Sequence, residues 1–258
     1  MPELPDLEVF SANLNRELKG RILEDIKVSR KAKLNVTKRK LSQALKGQRL
    51  TGVYREGKML YFYFRNKNVL ALHMMLRGKL YRLEDENPIP YTLFEFDFDG
   101  DKKIGLADYL GSAHAILNPE ETGAPDALDK KVNQKFWKEK LQSRASIKNL
   151  LLDQHVVRGI GSAYADEILW ESGISPFSIS NKIPVDAIKR LAKAIPKILK
   201  HAVKQIRKEA PKIIGGEIRD FLLVHNARHK KSPGGAVIKV TKKGGRKTYY
   251  TNEQQLFK

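Results

Sequence analysis

The sequence predicts an α+β chain: an N-terminal β-sandwich with a leading helix, a helical middle and a C-terminal β-hairpin. Three observations predict it. Short segments of alternating apolar and polar residues recur at regular spacing through the first 125 residues. Beyond them the apolar residues adopt the three- and four-residue steps of helices. The last stretch returns to alternation around a glycine pair. The boundaries read from these shifts give domains at residues 1–125, 126–225 and 226–258.

The first helix spans residues 6–19, with Leu7, Phe10, Leu14 and Leu18 on one face and Gly20 to end it. Strands follow at Ile22–Val28, Met59–Phe64, Val69–His73, Lys79–Leu83 and Tyr91–Phe98. Arg77-Gly78 and Asp99-Gly100 mark turns between them. Lys38–Leu45 reads as a short helix stopped by Gly47. The even spacing of short strands favours a sandwich or barrel over a parallel α/β sheet. Helices are expected at Asn133–Leu141, Ile147–Asp153, Ser162–Ser172 and Val185–Lys208, and a short one at Glu217–Val224. Val237–Thr241 and Lys247–Thr251 flank Lys242-Lys243-Gly244-Gly245 and read as a hairpin.

The charge narrows the partners. Lys and Arg number 49 against 29 Asp and Glu, a net charge of +20 in 258 residues. A polyanion, chiefly nucleic acid, is the expected partner. No stretch approaches the ~18 apolar residues of a membrane-spanning helix, and the N-terminus lacks the basic and apolar regions of a secretory signal. The chain contains no cysteine, which excludes disulfides and thiolate metal sites. A monomer in the cytoplasm, associated with the nucleoid, is expected, with no metal and no cofactor.

The chain begins Met1-Pro2-Glu3-Leu4-Pro5-Asp6. A small second residue permits removal of Met1, which leaves Pro2 with a free secondary amine. An α-amino group titrates near pH 7 to 8, so a useful fraction is neutral and nucleophilic. Amines of this kind form Schiff bases with carbonyl-like carbons. Glu3 beside it is a candidate general acid. The plainer reading is a stiff leader that starts the first helix.

Other segments decide between these readings. Glu56-Gly57-Lys58 precedes a strand, and His73-Met74-Met75-Leu76-Arg77-Gly78 follows one. Arg158-Gly159-Ile160-Gly161-Ser162-Ala163-Tyr164-Ala165 lies between two helices, and Gly245-Arg246-Lys247-Thr248-Tyr249-Tyr250-Thr251 lies near the end. Together with the opening residues, and in this order, they resemble the formamidopyrimidine-DNA glycosylase/endonuclease VIII (Fpg/Nei) family over nearly the whole chain. The resemblance implies a helix–two-turn–helix unit in the middle and a finger at the end. It implies a base-excision glycosylase with abasic-site lyase activity on double-stranded DNA, one that flips the damaged nucleotide out of the stack.

The resemblance assigns roles. Pro2 attacks C1′ of the flipped nucleotide and Glu3 assists by protonating the sugar. Lys58 and His73 contact phosphates near the lesion. Leu76 takes the place of an intercalating methionine and fills the gap left by the flipped base. Gly161 and Ser162 stand at a turn whose backbone amides approach phosphate. Arg246 sits at the tip of the terminal hairpin. Most members build that hairpin on four cysteines and zinc. Here Thr251 and Gln254 occupy the last two of those positions, so the sequence resembles a zincless finger held by packing, with Val237, Ile238, Tyr249 and Tyr250 as candidates.

The chain departs from the family pattern in four places. Asp108-Tyr109-Leu110-Gly111-Ser112 stands where an arginine-bearing loop is usual. Ser162 replaces an asparagine. Asp6 replaces a second glutamate as a supporting acid. The segment between Phe221 and His229 is shorter than the loop that caps 8-oxoguanine in guanine-specific members. An oxidised or 5-modified pyrimidine is therefore favoured over 8-oxoguanine. The alternatives are a degenerate member that senses damaged DNA without cutting, a hydrolytic glycosylase without lyase activity, and an RNA-associated basic protein.

Overall fold

The computed structural model describes residues 1–83, 89–243 and 245–258. They form two compact units: Met1–Glu121 with Ile206–Glu217, and Thr122–Gln205 with Ile218–Lys258.

The first unit opens with α1, Leu4–Leu18. It starts two residues before the expected residue 6, because Glu3 and Asp6 form a capping box and Pro5 lies in the first turn. Leu7, Phe10, Leu14 and Leu18 are all buried, and Gly20 takes a positive φ of 88° just past the end. The strands and one further helix then follow in chain order: β1 (Leu23–Val28), β2 (Lys33–Leu34), α2 (Lys38–Leu45), β3 (Leu50–Glu56), β4 (Met59–Phe64), β5 (Val69–His73), β6 (Lys79–Arg82), β7 (Thr92–Phe98), β8 (Lys102–Ala107) and β9 (His114–Leu117).

The strands sort into two sheets, one of four strands in the order β1-β7-β8-β6 and one of five in the order β2-β9-β5-β4-β3. Among the described strands of these two sheets, β2 and β9 pair in parallel and the other pairs are antiparallel. Phe62, Phe64, Leu70 and Leu72 of the larger sheet and Phe96 and Phe98 of the smaller one belong to a single core. Phe62 and Phe96 stack at 6.5 Å between centroids. Alternation in the sequence did not mark β2, β3, β8 or β9. The first is two residues long, and Gly52 and Gly105 interrupt β3 and β8.

The second unit holds α3 (Gln134–Lys140), α4 (Ile147–Leu152), α5 (Ser162–Glu171) and most of α6 (Val185–Glu209). The helix expected at Glu217–Val224 is absent. The N–H groups of Leu223, Val224 and His225 donate instead to the buried carboxylate of Glu167, at 3.0, 2.8 and 2.7 Å. A side chain that collects three consecutive amides leaves the segment no helical ladder. Among the described residues, no helix is long and apolar enough to cross a membrane.

The terminal hairpin pairs β10 (Lys239–Lys243) with β11 (Arg246–Tyr250). It lies one to two residues from the predicted span, and Gly244 of the expected turn falls outside the described residues. Tyr249 is buried, and Tyr250 meets the edge of Phe177 at 4.9 Å. Val237, expected to help pack the finger, is 60% exposed. Polar contacts take its place, as shown below.

Candidate active site and nucleic-acid interface

At the head of α1, Pro2 and Glu3 are both buried, with Glu3 only 4% exposed. The Glu3 N–H donates to the Asp6 carboxylate at 2.8 Å. Asp6 is itself buried, so the peptide between Pro2 and Glu3 is fixed by a contact three residues away. Asp6 thus ties the Glu3 N–H to the first turn of α1. The ammonium of Met1 is ion-paired with Glu217. With Met1 in place, Pro2 is a tertiary amide and has no nucleophilic nitrogen.

Lys58 and His73 meet at one end of the larger sheet. Residues 57–58 make the tight turn between β3 and β4, whose ends Glu56 and Met59 pair. Gly57 adopts a φ of 55° there. Arg55 reaches from this hairpin to Glu8 of α1 at 2.8 Å. Since Leu60 pairs with Leu72, the start of β4, which follows Lys58, lies beside the end of β5, which carries His73.

His73 accepts the Met75 N–H on Nδ1 at 2.9 Å, so its neutral tautomer carries the proton on Nε2. Its ring stacks on His114 at 5.2 Å, with the planes 5° apart. Burial, then the charges of His114 and Lys58, push its pKa down to about 4. His73 therefore acts at neutral pH as an uncharged hydrogen-bond donor. His114 has no local signal in the sequence. It arrives through the β5–β9 register, which sets it opposite His73.

The turn after β5 lifts Leu76 to 59% exposure. Met75 takes a φ of 51°, and the Gly78 N–H closes the turn on the Met74 carbonyl at 2.8 Å. A Cβ at Gly78 would lie 2.2 Å from that oxygen, so only glycine fits. The result is an apolar side chain held out on a tight turn.

The loop at Asp108–Ser112 is built around one carboxylate. Asp108 accepts the N–H groups of Leu110, Ser112 and Ala113 and the Ser112 hydroxyl, all at 2.8–3.0 Å. Burial pushes its carboxyl up, but these donors outweigh burial and hold it below the usual range. Tyr109 and Leu110 are exposed on this loop.

In the second unit, Gly161 is the N-cap of α5 and Ser162 its first residue. The preceding turn takes Gly159 to a φ of 104°, with its N–H on the Gln154 side chain at 2.9 Å. The Ser162 hydroxyl donates to the carbonyl of Lys247 at 3.1 Å, which brings the helix start beside the residue that follows Arg246. Arg246 is exposed and pairs with Lys243 across the hairpin.

Sequence reasoning missed the group that anchors this hairpin. Lys148 of α4, 6% exposed, donates to Asp166 at 2.6 Å, to the Lys247 carbonyl at 3.1 Å and to the Thr248 hydroxyl at 2.9 Å. Asp166 of α5, fully buried, also accepts the Tyr249 N–H at 2.9 Å and contacts His225 Nδ1 at 2.7 Å. These partners lie 18 to 100 residues apart, and no short motif announces them. Among the described residues no group of three His, Cys, Asp or Glu is placed to hold a metal ion.

Comparison with known proteins agrees with this architecture. Residues 1–111 match the model of the formamidopyrimidine-DNA glycosylase N-terminal domain, and residues 124–210 match that of its H2TH domain. The formamidopyrimidine-DNA glycosylase of Carboxydothermus hydrogenoformans is 32% identical over 77% of this chain and 76% of its own length. That of Ureaplasma parvum is 30% identical over 97% and 98%. A crystal structure of wild-type Lactococcus lactis Fpg in complex with DNA containing an oxidised pyrimidine superposes with a TM-score of 0.89. It covers 98% of this chain and 100% of the other, at 26% identity.

Fold and matches together define a DNA glycosylase of base-excision repair. More narrowly, the chain belongs to the formamidopyrimidine-DNA glycosylase (Fpg/Nei) family, with a finger that carries no cysteine.

Proposed function

We propose that the protein excises a damaged pyrimidine from double-stranded DNA and cleaves the strand at the resulting abasic site, with Pro2 as nucleophile. The observation that carries this reading is the capped head of α1, where Asp6 fixes the Pro2–Glu3 peptide. Loss of Met1 moves the chain's free amine onto Pro2. The Pro2 nitrogen attacks C1′, and the base departs with the electrons of its bond to the sugar. Glu3 protonates the sugar ring oxygen as the ring opens. The iminium so formed makes the 2′ proton acidic. Its removal expels the 3′ phosphate, and a second elimination expels the 5′ phosphate.

The other site residues divide into two tasks. Lys58 supplies a fixed charge for phosphate, and His73 supplies a neutral donor. Gly161 and Ser162 offer the amides of the α5 N-terminus to a phosphate, and Arg246 adds a guanidinium. Leu76 takes the space of the flipped base. The net charge of +20 makes affinity fall steeply with salt. Domain limits at 1–125, 126–225 and 226–258 assign the chemistry to the first segment and duplex binding to the other two.

Lesion choice follows from one feature. The segment after Phe221 is short and tied down by Glu167, which leaves little chain to enclose a purine. The Lactococcus lactis Fpg has been crystallised with an oxidised pyrimidine and, as a variant, with Fapy-dG in its DNA, so that relative does not decide between them. The experiment is a panel of duplexes with one lesion each. Faster excision of oxidised pyrimidines than of 8-oxoguanine supports the reading, and equal rates overturn the pyrimidine preference. A damage sensor without chemistry is the second reading. It is favoured by the Ser162 hydroxyl being engaged with Lys247, and it predicts binding without any strand cleavage.

A further inference from the structure

The cysteine-free finger raises a structural question: what closes its root? The hairpin leaves the rest of the second unit near Ser232 and returns near Thr251. The two hydroxyls are buried, so each needs a partner. Both find the same one. Glu253 Oε2 accepts the Ser232 hydroxyl at 2.7 Å and the Thr251 hydroxyl at 2.9 Å. It also accepts the indole N–H of Trp170, the penultimate residue of α5, at 3.0 Å. Three donors from three segments thus converge on one oxygen.

The surroundings are built for this contact. The other oxygen, Oε1, lies so near the finger backbone that a Cβ at Gly234 would come within 1.9 Å of it. The Gly235 N–H returns to the Ser232 carbonyl at 2.9 Å, and the Ser232 N–H reaches the Ala236 carbonyl at 2.8 Å. On the returning side, Gln254 accepts the Thr251 N–H at 2.9 Å and donates to the Ile174 carbonyl at 2.8 Å. Glu253 is itself exposed, and the bonds from Trp170 and Ser232, with that of Thr251, hold its carboxyl below its ordinary range. At neutral pH the hub is a carboxylate, and its hydrogen bonds are charge-assisted.

We propose that Glu253 is a positioning residue that closes the root of the C-terminal hairpin and thereby holds Arg246 for DNA. It lies between Thr251 and Gln254, the positions where the family resemblance expects the last two metal-bound cysteines. One carboxylate gathers donors, where a metal ion would gather thiolates. Arg246 lies at the opposite end of β11 from this root, about 14 Å away at the rise of a strand. Glu253 therefore acts on DNA only through the hairpin. The proposal rests on the reading of Arg246 as a DNA contact.

The test uses the full chain with Glu253→Ala, Glu253→Gln, Ser232→Ala and Arg246→Ala. Glu253→Ala should raise KM for an abasic duplex by roughly threefold to tenfold, with kcat within about twofold. Glu253→Gln and Ser232→Ala should show smaller rises in the same direction. In the Arg246→Ala background, Glu253→Ala should add nothing. An unchanged KM in Glu253→Ala, or an equal rise with and without Arg246, overturns the proposal. Hydrogen exchange separates the two readings: the β10–β11 amides should exchange faster in Glu253→Ala whatever Arg246 does. If Arg246→Ala leaves KM unchanged, the reading of Arg246 fails. The clamp itself fails if those amides keep their protection.

Discussion

The head of α1 and the root of the terminal hairpin solve the same problem, holding a functional group in place, by opposite means. At the head of α1 the bond that matters spans three residues, from the Glu3 N–H to Asp6. At the hairpin, the bonds from Lys148 to Thr248, from Asp166 to Tyr249 and from Trp170 to Glu253 span 83 to 100 residues. The first arrangement closes within a single helical turn. The second exists only when the whole unit has folded. The proposed nucleophile and acid thus rest on local geometry, whereas Arg246, the proposed DNA contact, rests on tertiary polar contacts.

Four substitutions break or sharpen this contrast. The largest effect should come from Glu3→Gln, which removes a proton donor while keeping the shape of the helix start. Base excision should fall by about 10²- to 10⁴-fold, with the unfolding midpoint little changed. A loss below tenfold would remove Glu3 from the chemistry. Next is Lys148→Ala, which leaves the Asp166 carboxylate buried without its cation. Breaking such a pair costs about 3–5 kcal/mol, measurable by denaturant titration. The first unit should keep its own stability, so a two-step transition is expected. A loss under 1 kcal/mol would show that the hairpin does not depend on this network.

Leu76→Ala ranks third. The side chain is exposed, so folding should be unaffected, while excision from duplex should drop roughly tenfold as the space of the flipped base goes unfilled. Excision from single strands should not change, and an equal drop there would argue against the wedge. Asp6→Ala ranks last, with a stability loss of about 1 kcal/mol for a lost cap and slower trapping of abasic DNA by the loosened N-terminus. A stability loss with unchanged trapping would make Asp6 a cap only.

The pH dependence tests the first unit alone. His73 is held near pKa 4 in the fold and titrates near 6.5 when unfolded. Between those values the unfolded chain binds the proton and the folded chain does not. Stability must therefore fall as pH drops from about 6.5 towards 4, and level off below. His73→Gln should flatten that slope. Because His73 stays neutral, its own contribution to DNA binding should not change between pH 7 and 5.

The contrast between the regions also explains what the sequence showed. Helices of strong period, such as those with Phe10 and Leu14 or Ile195 and Leu199, stand where their apolar residues put them. Strand β8 was invisible because Gly105 interrupts its alternation. The helix expected at Glu217–Val224 had suitable residues, but Glu167, more than fifty positions away, takes its amides. The candidate residues of the first unit sat in short motifs, so they were legible. His114, Lys148, Asp166 and Glu253 were not, since each gains its meaning from a partner placed by folding. The finger was expected to hold by packing through Val237, Ile238, Tyr249 and Tyr250; the two tyrosines do pack, but Val237 is exposed, and polar bonds from distant donors add to the hold.

The central claim is that Pro2 becomes the nucleophile once Met1 is gone. The direct measurement is borohydride trapping on an abasic duplex, with intact mass taken on the same sample. Chains lacking Met1 should become covalently joined to DNA through Pro2, in proportion to their share of the sample, and chains retaining Met1 should not. Trapping of the Met1-bearing chain at the same rate, or no trapping of the processed chain, would contradict the account.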